Sequence, residues 1–164
     1  GSLQYLSGSD VRFKVDSSSG TVTMPLQPAF SAVPASAQNN IANNESQVTV
    51  DLGTEIFDVG SNFASSTFTA PVTGKYQLNA LIYTQNLDSA ATYFLIGIKT
   101  SNRTYLNIQS GASLGADPSY YVIPLSILAD MDASDTAYII VQQAGGTSQA
   151  DINTDSYFTG YLAC

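Results

Sequence analysis

Hydrophobic and polar positions alternate along most of this chain with a period of two. Over residues 76–83, Tyr76, Leu78, Ala80 and Ile82 fall on one face, and Gln77, Asn79, Leu81 and Tyr83 on the other. The first half of that run reads as a half-buried strand, and the second half, apolar on both faces, predicts cover on both sides. Residues 91–100 are nearly all apolar, β-branched or aromatic, and predict a strand buried on both faces. Ser101-Asn102-Arg103 then turns the chain into residues 104–108, completing a hairpin. Residues 120–128 and 137–143 predict two further strands with a turn over 130–135 between them, and residues 156–163 predict a last one. The nearest approach to a helical turn lies over residues 123–131, but Pro124 and the β-rich neighbourhood favour strand there. No window carries a capped 3.6-residue repeat. Strands recurring every ten residues or so, with turn clusters between them, predict an all-β sandwich or barrel.

The first part of the chain is organised differently. Residues 11–16 alternate, Ser17-Ser18-Ser19-Gly20 turn, and residues 21–24 alternate back, which predicts a short N-terminal β-hairpin carrying Arg12 and Lys14. A two-stranded hairpin is marginal in water. It must lean on the main domain, on another chain or on a longer fibre. Pro25 and Pro28 mark a stiff junction. The expected division is a stem segment over residues 1–26 and a main domain over 27–164. Residues 35–47 are polar and amide-rich and read as a surface loop. Gly1-Ser2 reads as a cloning scar, with room for an upstream segment.

Composition removes several function classes. The chain has 164 residues, 44% apolar and 11% charged, which suits one globular domain and not a disordered one. Five Lys and Arg stand against 13 Asp and Glu, for a formal charge of −8. Such a chain is repelled by phosphate backbones and anionic bilayers, so neither nucleic acid nor membrane is an expected partner. No apolar run of about 18 residues is present to insert as a helix. With no histidine and a single cysteine, Cys164, neither a His/Cys zinc site nor a Ser-His-Asp or Cys-His nucleophile system can be assembled. Cys164 reads as a free thiol. No Asp or Glu lies in a strand context that would bury it and raise its pKa, so glycan cleavage by paired carboxylates is not expected either.

From Pro28 onward the chain resembles the globular head of complement C1q and the related tumour-necrosis-factor-like jelly rolls. The resemblance rests on Ala29-Phe30-Ser31-Ala32, Glu55-Ile56-Phe57-Asp58, the stretch Phe68-Thr69-Ala70-Pro71-Val72-Thr73-Gly74-Lys75-Tyr76, and the closing Tyr157-Phe158-Thr159-Gly160-Tyr161-Leu162. One departure is the turn before the second-last strand, where the family has Gly-Asp and this chain has Ser134-Asp135. Residues 12–20 through Met24-Pro25 look like a segment that precedes such heads in bacteriophage tail-fibre and virion structural proteins. The resemblance implies a jelly-roll sandwich of about ten antiparallel strands, assembled as a homotrimer. Leu81, Tyr83, Tyr120, Tyr121, Phe158 and Tyr161 are then surplus apolar surface for the subunit contacts. It also implies a tip built from residues 85–90, 109–119 and 144–155, with Asn86, Asp88, Asp117, Tyr120 and Gln149 as receptor-binding candidates. Such loops suit a host cell-surface glycan or protein.

Asp151-x-Asn153-x-Asp155 has the opening spacing of a calcium loop but lacks the glycine and closing glutamate of an EF-hand, having Ser156 and Leu162 there. Its three side-chain oxygens, and those of Asp130, Asp132 and Asp135, are candidate calcium ligands. The expected function is a non-enzymatic, receptor-binding tip of a tail fibre or other virion appendage. The alternatives are a secreted complement- or cytokine-like recognition domain of a cellular organism, and a glycan-cleaving enzyme on the same scaffold.

Overall fold

Turn residues set the borders of this fold, and strands fill what lies between them. The computed structural model of the chain describes residues 3–164; Gly1 and Ser2, read above as a scar, lie outside the described residues. The chain begins with β1 (Leu3–Ser7), β2 (Asp10–Val15) and β3 (Val22–Thr23). These form a three-stranded sheet in the order β1-β2-β3. The hairpin of β2 and β3 is the one expected, with Asp16 accepting hydrogen bonds from the Ser18 and Ser19 amides, both at 3.0 Å, across the turn. β1 is an addition, joined to β2 through Gly8, whose φ of 64° suits a tight turn.

The main domain follows with β4 (Ala29–Val33), β5 (Val48–Thr49), β6 (Thr54–Val59), β7 (Phe63–Ala64) and β8 (Thr67–Thr69). The long strands come next: β9 (Gly74–Gln85), β10 (Tyr93–Thr100), β11 (Thr104–Ser110), β12 (Tyr120–Met131) and β13 (Thr136–Ala144). β14 (Asp151–Ile152) and β15 (Tyr157–Leu162) end the chain. One sheet runs β11-β10-β13-β8-β7 with β5 beside β13; the other runs β12-β9-β15-β4-β6 with β14 beside β9. Among the described residues every ladder is antiparallel. Strands far apart in sequence, such as β4 and β15, are neighbours in space, as a jelly roll requires.

The alternation read from the sequence sets the inside and outside of both sheets. Tyr76, Leu78, Ala80 and Ile82 are buried in the core, while Gln77, Asn79, Leu81 and Tyr83 point away from it and are half-buried. In β10 Phe94, Ile96 and Ile98 face the core. Leu95 and Gly97 are buried on the opposite side, where Gly97 lies under Leu106 and Ile140. Between the sheets the Phe30 ring stacks on Phe68 (4.6 Å) and Phe63 (5.0 Å) and meets Phe158 edge-on (5.0 Å).

Several expectations need correction. Phe158 is not surplus surface: it is fully buried, because in β15 it shares the inward face with Gly160 and Leu162 while Tyr157 and Tyr161 take the outward one. The turn expected over 130–135 starts later, since β12 pairs with β9 through Asp130 and Met131. The loop over 35–47 is pinned by Ile41, which is buried in the core. Ser134 occupies the left-handed region, with φ 78°, at the place where the resembled heads carry glycine.

Candidate functional site

Opposite ends of β9 define opposite ends of the domain. The eleven steps from Gly74 to Gln85, at about 3.3 Å each, separate them by roughly 36 Å. At the Gly74 end the Tyr76 hydroxyl donates to the Val72 carbonyl (2.8 Å), and the Lys75 amide donates to the Cys164 carbonyl (2.7 Å). At the Gln85 end the β9–β10 loop, the β11–β12 connection and the segment after β13 meet.

There Asn40, Asn86, Asp117, Pro118, Ser119, Gln149 and Asp151 line an open polar cleft of about 450 Å³. Asn86 and Asn40 both sit at φ 56°, a conformation asparagine tolerates better than most residues. Asn86 donates its side-chain amide to Asp151 Oδ2 (3.0 Å), and the Asn40 backbone amide donates to Asp151 Oδ1 (2.9 Å). On the other wall Asp117 Oδ1 accepts from the Ser89 amide (2.8 Å) and hydroxyl (2.6 Å). Gln149 Nε2 reaches Asp117 Oδ2 at 3.4 Å. The Ser89 hydroxyl and amide thus hold the Asp117 carboxyl below the ordinary carboxylate range. The cleft presents two carboxyl groups and three amide side chains, a set that accepts from and donates to hydroxyl groups.

Among the receptor-binding candidates, Asn86, Asp117 and Gln149 converge here, joined by Asp151 from the calcium candidates. Asp88 does not contribute a contact surface. It is buried, and its carboxylate accepts from the Ala90 amide (2.7 Å) and from the Thr147 amide, clamping two loops together. Tyr120 is exposed but stands on the outward face of β12, with its ring 6.0 Å from that of Tyr83. The calcium spacing does not converge either. Asp151 is engaged as above, and Asn153 Oδ1 accepts from the Asp155 amide (3.0 Å) in a local turn, which leaves Asp155 in solvent. At the Gly74 end Asp130 pairs with Arg103 (2.9 Å), and Asp135 Oδ2 accepts from the Asp132 amide (2.8 Å) and from Asn102 (2.9 Å). Among the described residues no three His, Cys, Asp or Glu side chains gather as a metal site. Asn40 and Ser119 were not singled out from the sequence; the local sign of Asn40 is the Asn39-Asn40 pair in an amide-rich loop.

The Thr147 and Ala90 amides hold the Asp88 carboxyl below its ordinary value, against burial, which raises it. Protonation is therefore harder in the folded chain than in the unfolded one. The stability this carboxylate contributes is present above the unfolded value near 4 and is lost as pH falls toward the lower folded value. The melting temperature should drop on going from pH 7 to pH 3, and Asp88→Asn should melt lower at pH 7 with a flatter acid limb. An unchanged limb in Asp88→Asn would contradict the assignment of the clamp.

A second surface lies along the outward face of the β12-β9-β15-β4-β6 sheet. Register places Pro124, Leu81 and Tyr157 in one row, and Leu128, Gln77, Tyr161 and Ala29 in another. Tyr120, Val122, Leu128, Tyr157, Tyr161, Ile56 and Phe57 are all exposed. Between the rows Ser126 donates to Asn79 Oδ1 (2.7 Å), and Gln77 donates to Ser126 (2.9 Å). A larger, mainly apolar cavity of about 830 Å³ lies at the Gly74 end, between Met24 and Leu26 on one side and Val59, Val72 and Leu162 on the other.

No protein-family model and no curated sequence matches the chain. Among solved structures it is similar to the globular domain of zebrafish complement 1qA, with a TM-score of 0.59 and 15% identity over 84% of this chain and 98% of that one. It is also similar to murine APRIL, with a TM-score of 0.54 and 10% identity over 83% of this chain and 98% of that one. The vertex protein P5 of PRD1 aligns at a TM-score of 0.49 and 16% identity, over 84% of this chain and 97% of that one, too loose a likeness to add to the fold. The fold is thus the C1q/TNF-like jelly roll.

Proposed function

We propose that this chain is a non-enzymatic recognition head that assembles as a homotrimer and binds a hydroxyl-rich ligand, a host-surface glycan, in the polar cleft at its distal end. The division into a stem over 1–26 and a head over 27–164 belongs to the same reading, as does a place at the tip of a phage tail fibre or similar virion appendage. The observation that carries it is the cleft itself. Asn86 and Asp117 come from two separate loops, Gln149 and Asp151 from the segment after β13, and all four meet around one opening. Arrays of amides and carboxylates bind sugars by matching hydroxyl donors and acceptors. The trimer is supported by the outward face of the β12-β9-β15-β4-β6 sheet, which carries more large apolar side chains than isolated surface residues account for. The virion setting is supported by the segment before the head. No helix among the described residues is long and apolar enough to cross a membrane.

The test is a glycan-array screen with the full chain, followed by Gln149→Ala on the strongest hit. The variant should bind roughly tenfold more weakly, as loss of one hydrogen bond to a charged network predicts, with an unchanged circular-dichroism spectrum. Retention of no glycan, equal binding by the variant, or release of cleaved sugar would contradict the reading.

A further inference from the structure

The N-terminal sheet has two unlike faces. Leu3 pairs with Val15, Val15 with Val22, and Tyr5 with Phe13. Directly opposed residues share a face of a sheet, so these five side chains form one apolar surface across all three strands. Gln4, Lys14 and Thr23 stand on the other face, where Lys14 lies 3.6 Å from Asp16. Much of that apolar surface is open: Leu3, Tyr5 and Val22 are 70%, 67% and 55% exposed, with Phe13 and Val15 half-buried on the central strand. β1 adds an outer edge with neither charge nor proline, which natural sheets do not leave unprotected. A sheet this small needs its apolar face packed against something to persist.

The junction says what is within reach. Only Met24, Pro25, Leu26, Gln27 and Pro28 separate β3 from β4, a span of about 17 Å at full extension. That junction is tied to the head, because the Leu162 amide donates to the Pro28 carbonyl (3.0 Å) and the Gln27 side-chain amide donates to the Leu162 carbonyl. Three heads on a common axis therefore hold three N-terminal sheets on short tethers, at an effective concentration in the millimolar range. We propose that the Leu3, Tyr5, Phe13, Val15 and Val22 face packs against the same face of the other copies, making this sheet a second assembly interface outside the head. The proposal rests on the trimeric reading for proximity, but it uses a different surface.

The experiment takes the full chain with Cys164→Ser and adds one cysteine, at Val15 or Tyr5 on the apolar face or at Thr23 on the polar face. Val15→Cys and Tyr5→Cys should each link two copies through a short bis-maleimide and react with a mono-maleimide roughly tenfold more slowly than Thr23→Cys. Light scattering on the same samples gives the copy number. A three-copy particle whose apolar-face cysteines label as fast as Thr23→Cys overturns this proposal and leaves the head trimer standing. Protection without cross-linking also overturns it, since another part of the chain then covers the face. A single-copy particle overturns both.

Discussion

On the proposed trimer, Tyr157→Asp combined with Tyr161→Asp should leave the head folded and reduce its particle from three copies to one. Both tyrosines lie on β15, the middle strand of the five-strand path β12-β9-β15-β4-β6, and both point away from the core. Their replacement removes no core packing. If three copies share this surface, each aspartate lies in a dehydrated contact where an unpaired charge costs several kcal/mol. An obligate interface of roughly 2,000 Å² does not survive that penalty twice per copy. Light scattering should then report 17.3 kDa, the mass of one chain, with the circular-dichroism spectrum retained. A variant that still scatters as a trimer would remove this sheet from the interface.

Phe30→Ala should be the most damaging single truncation in the head, at about 3–5 kcal/mol for loss of a buried aromatic ring. Phe30 contacts Phe63, Phe68 and Phe158, so it joins β4 to β15 within its own sheet and to β7 and β8 of the opposite one. Its ring also lies over Gly160, its register partner, where an added Cβ would come 2.6 Å from the ring edge. Alanine at position 30 opens a cavity among three rings that a glycine neighbour cannot fill. Urea denaturation should show the loss as a lowered midpoint with little change of slope. A loss below 1 kcal/mol would mean that the two sheets do not close around this cluster.

What could be read from the sequence follows from the range of each signal. The side-chain period of two is local, so the β9 alternation named its buried and outward sets correctly. The Phe30–Gly160 contact was half-legible: glycine between two aromatics marks a place for a ring, but which ring depends on β4 lying beside β15. The same limit explains Phe158. Alternation separates it from Tyr157 and Tyr161 without saying which set faces the core. β1 was missed because Leu3–Ser7 is short and its signal is a single two-residue turn at Gly8-Ser9. The cleft was legible as loops rich in amides and acids. Its partner Asn40 was not, since it meets Asp151 across 111 residues of chain. Asp151, Asn153 and Asp155 show the same limit from the other side: their spacing is visible in sequence, while the loop contact of Asp151 and the backbone turn at Asn153 are not.

The most direct test is the mass of the unaltered chain by light scattering over a dilution series. The shared-sheet account predicts three times 17.3 kDa, held to the lowest concentration at which the chain remains folded. A folded particle of 17.3 kDa across the series would contradict it.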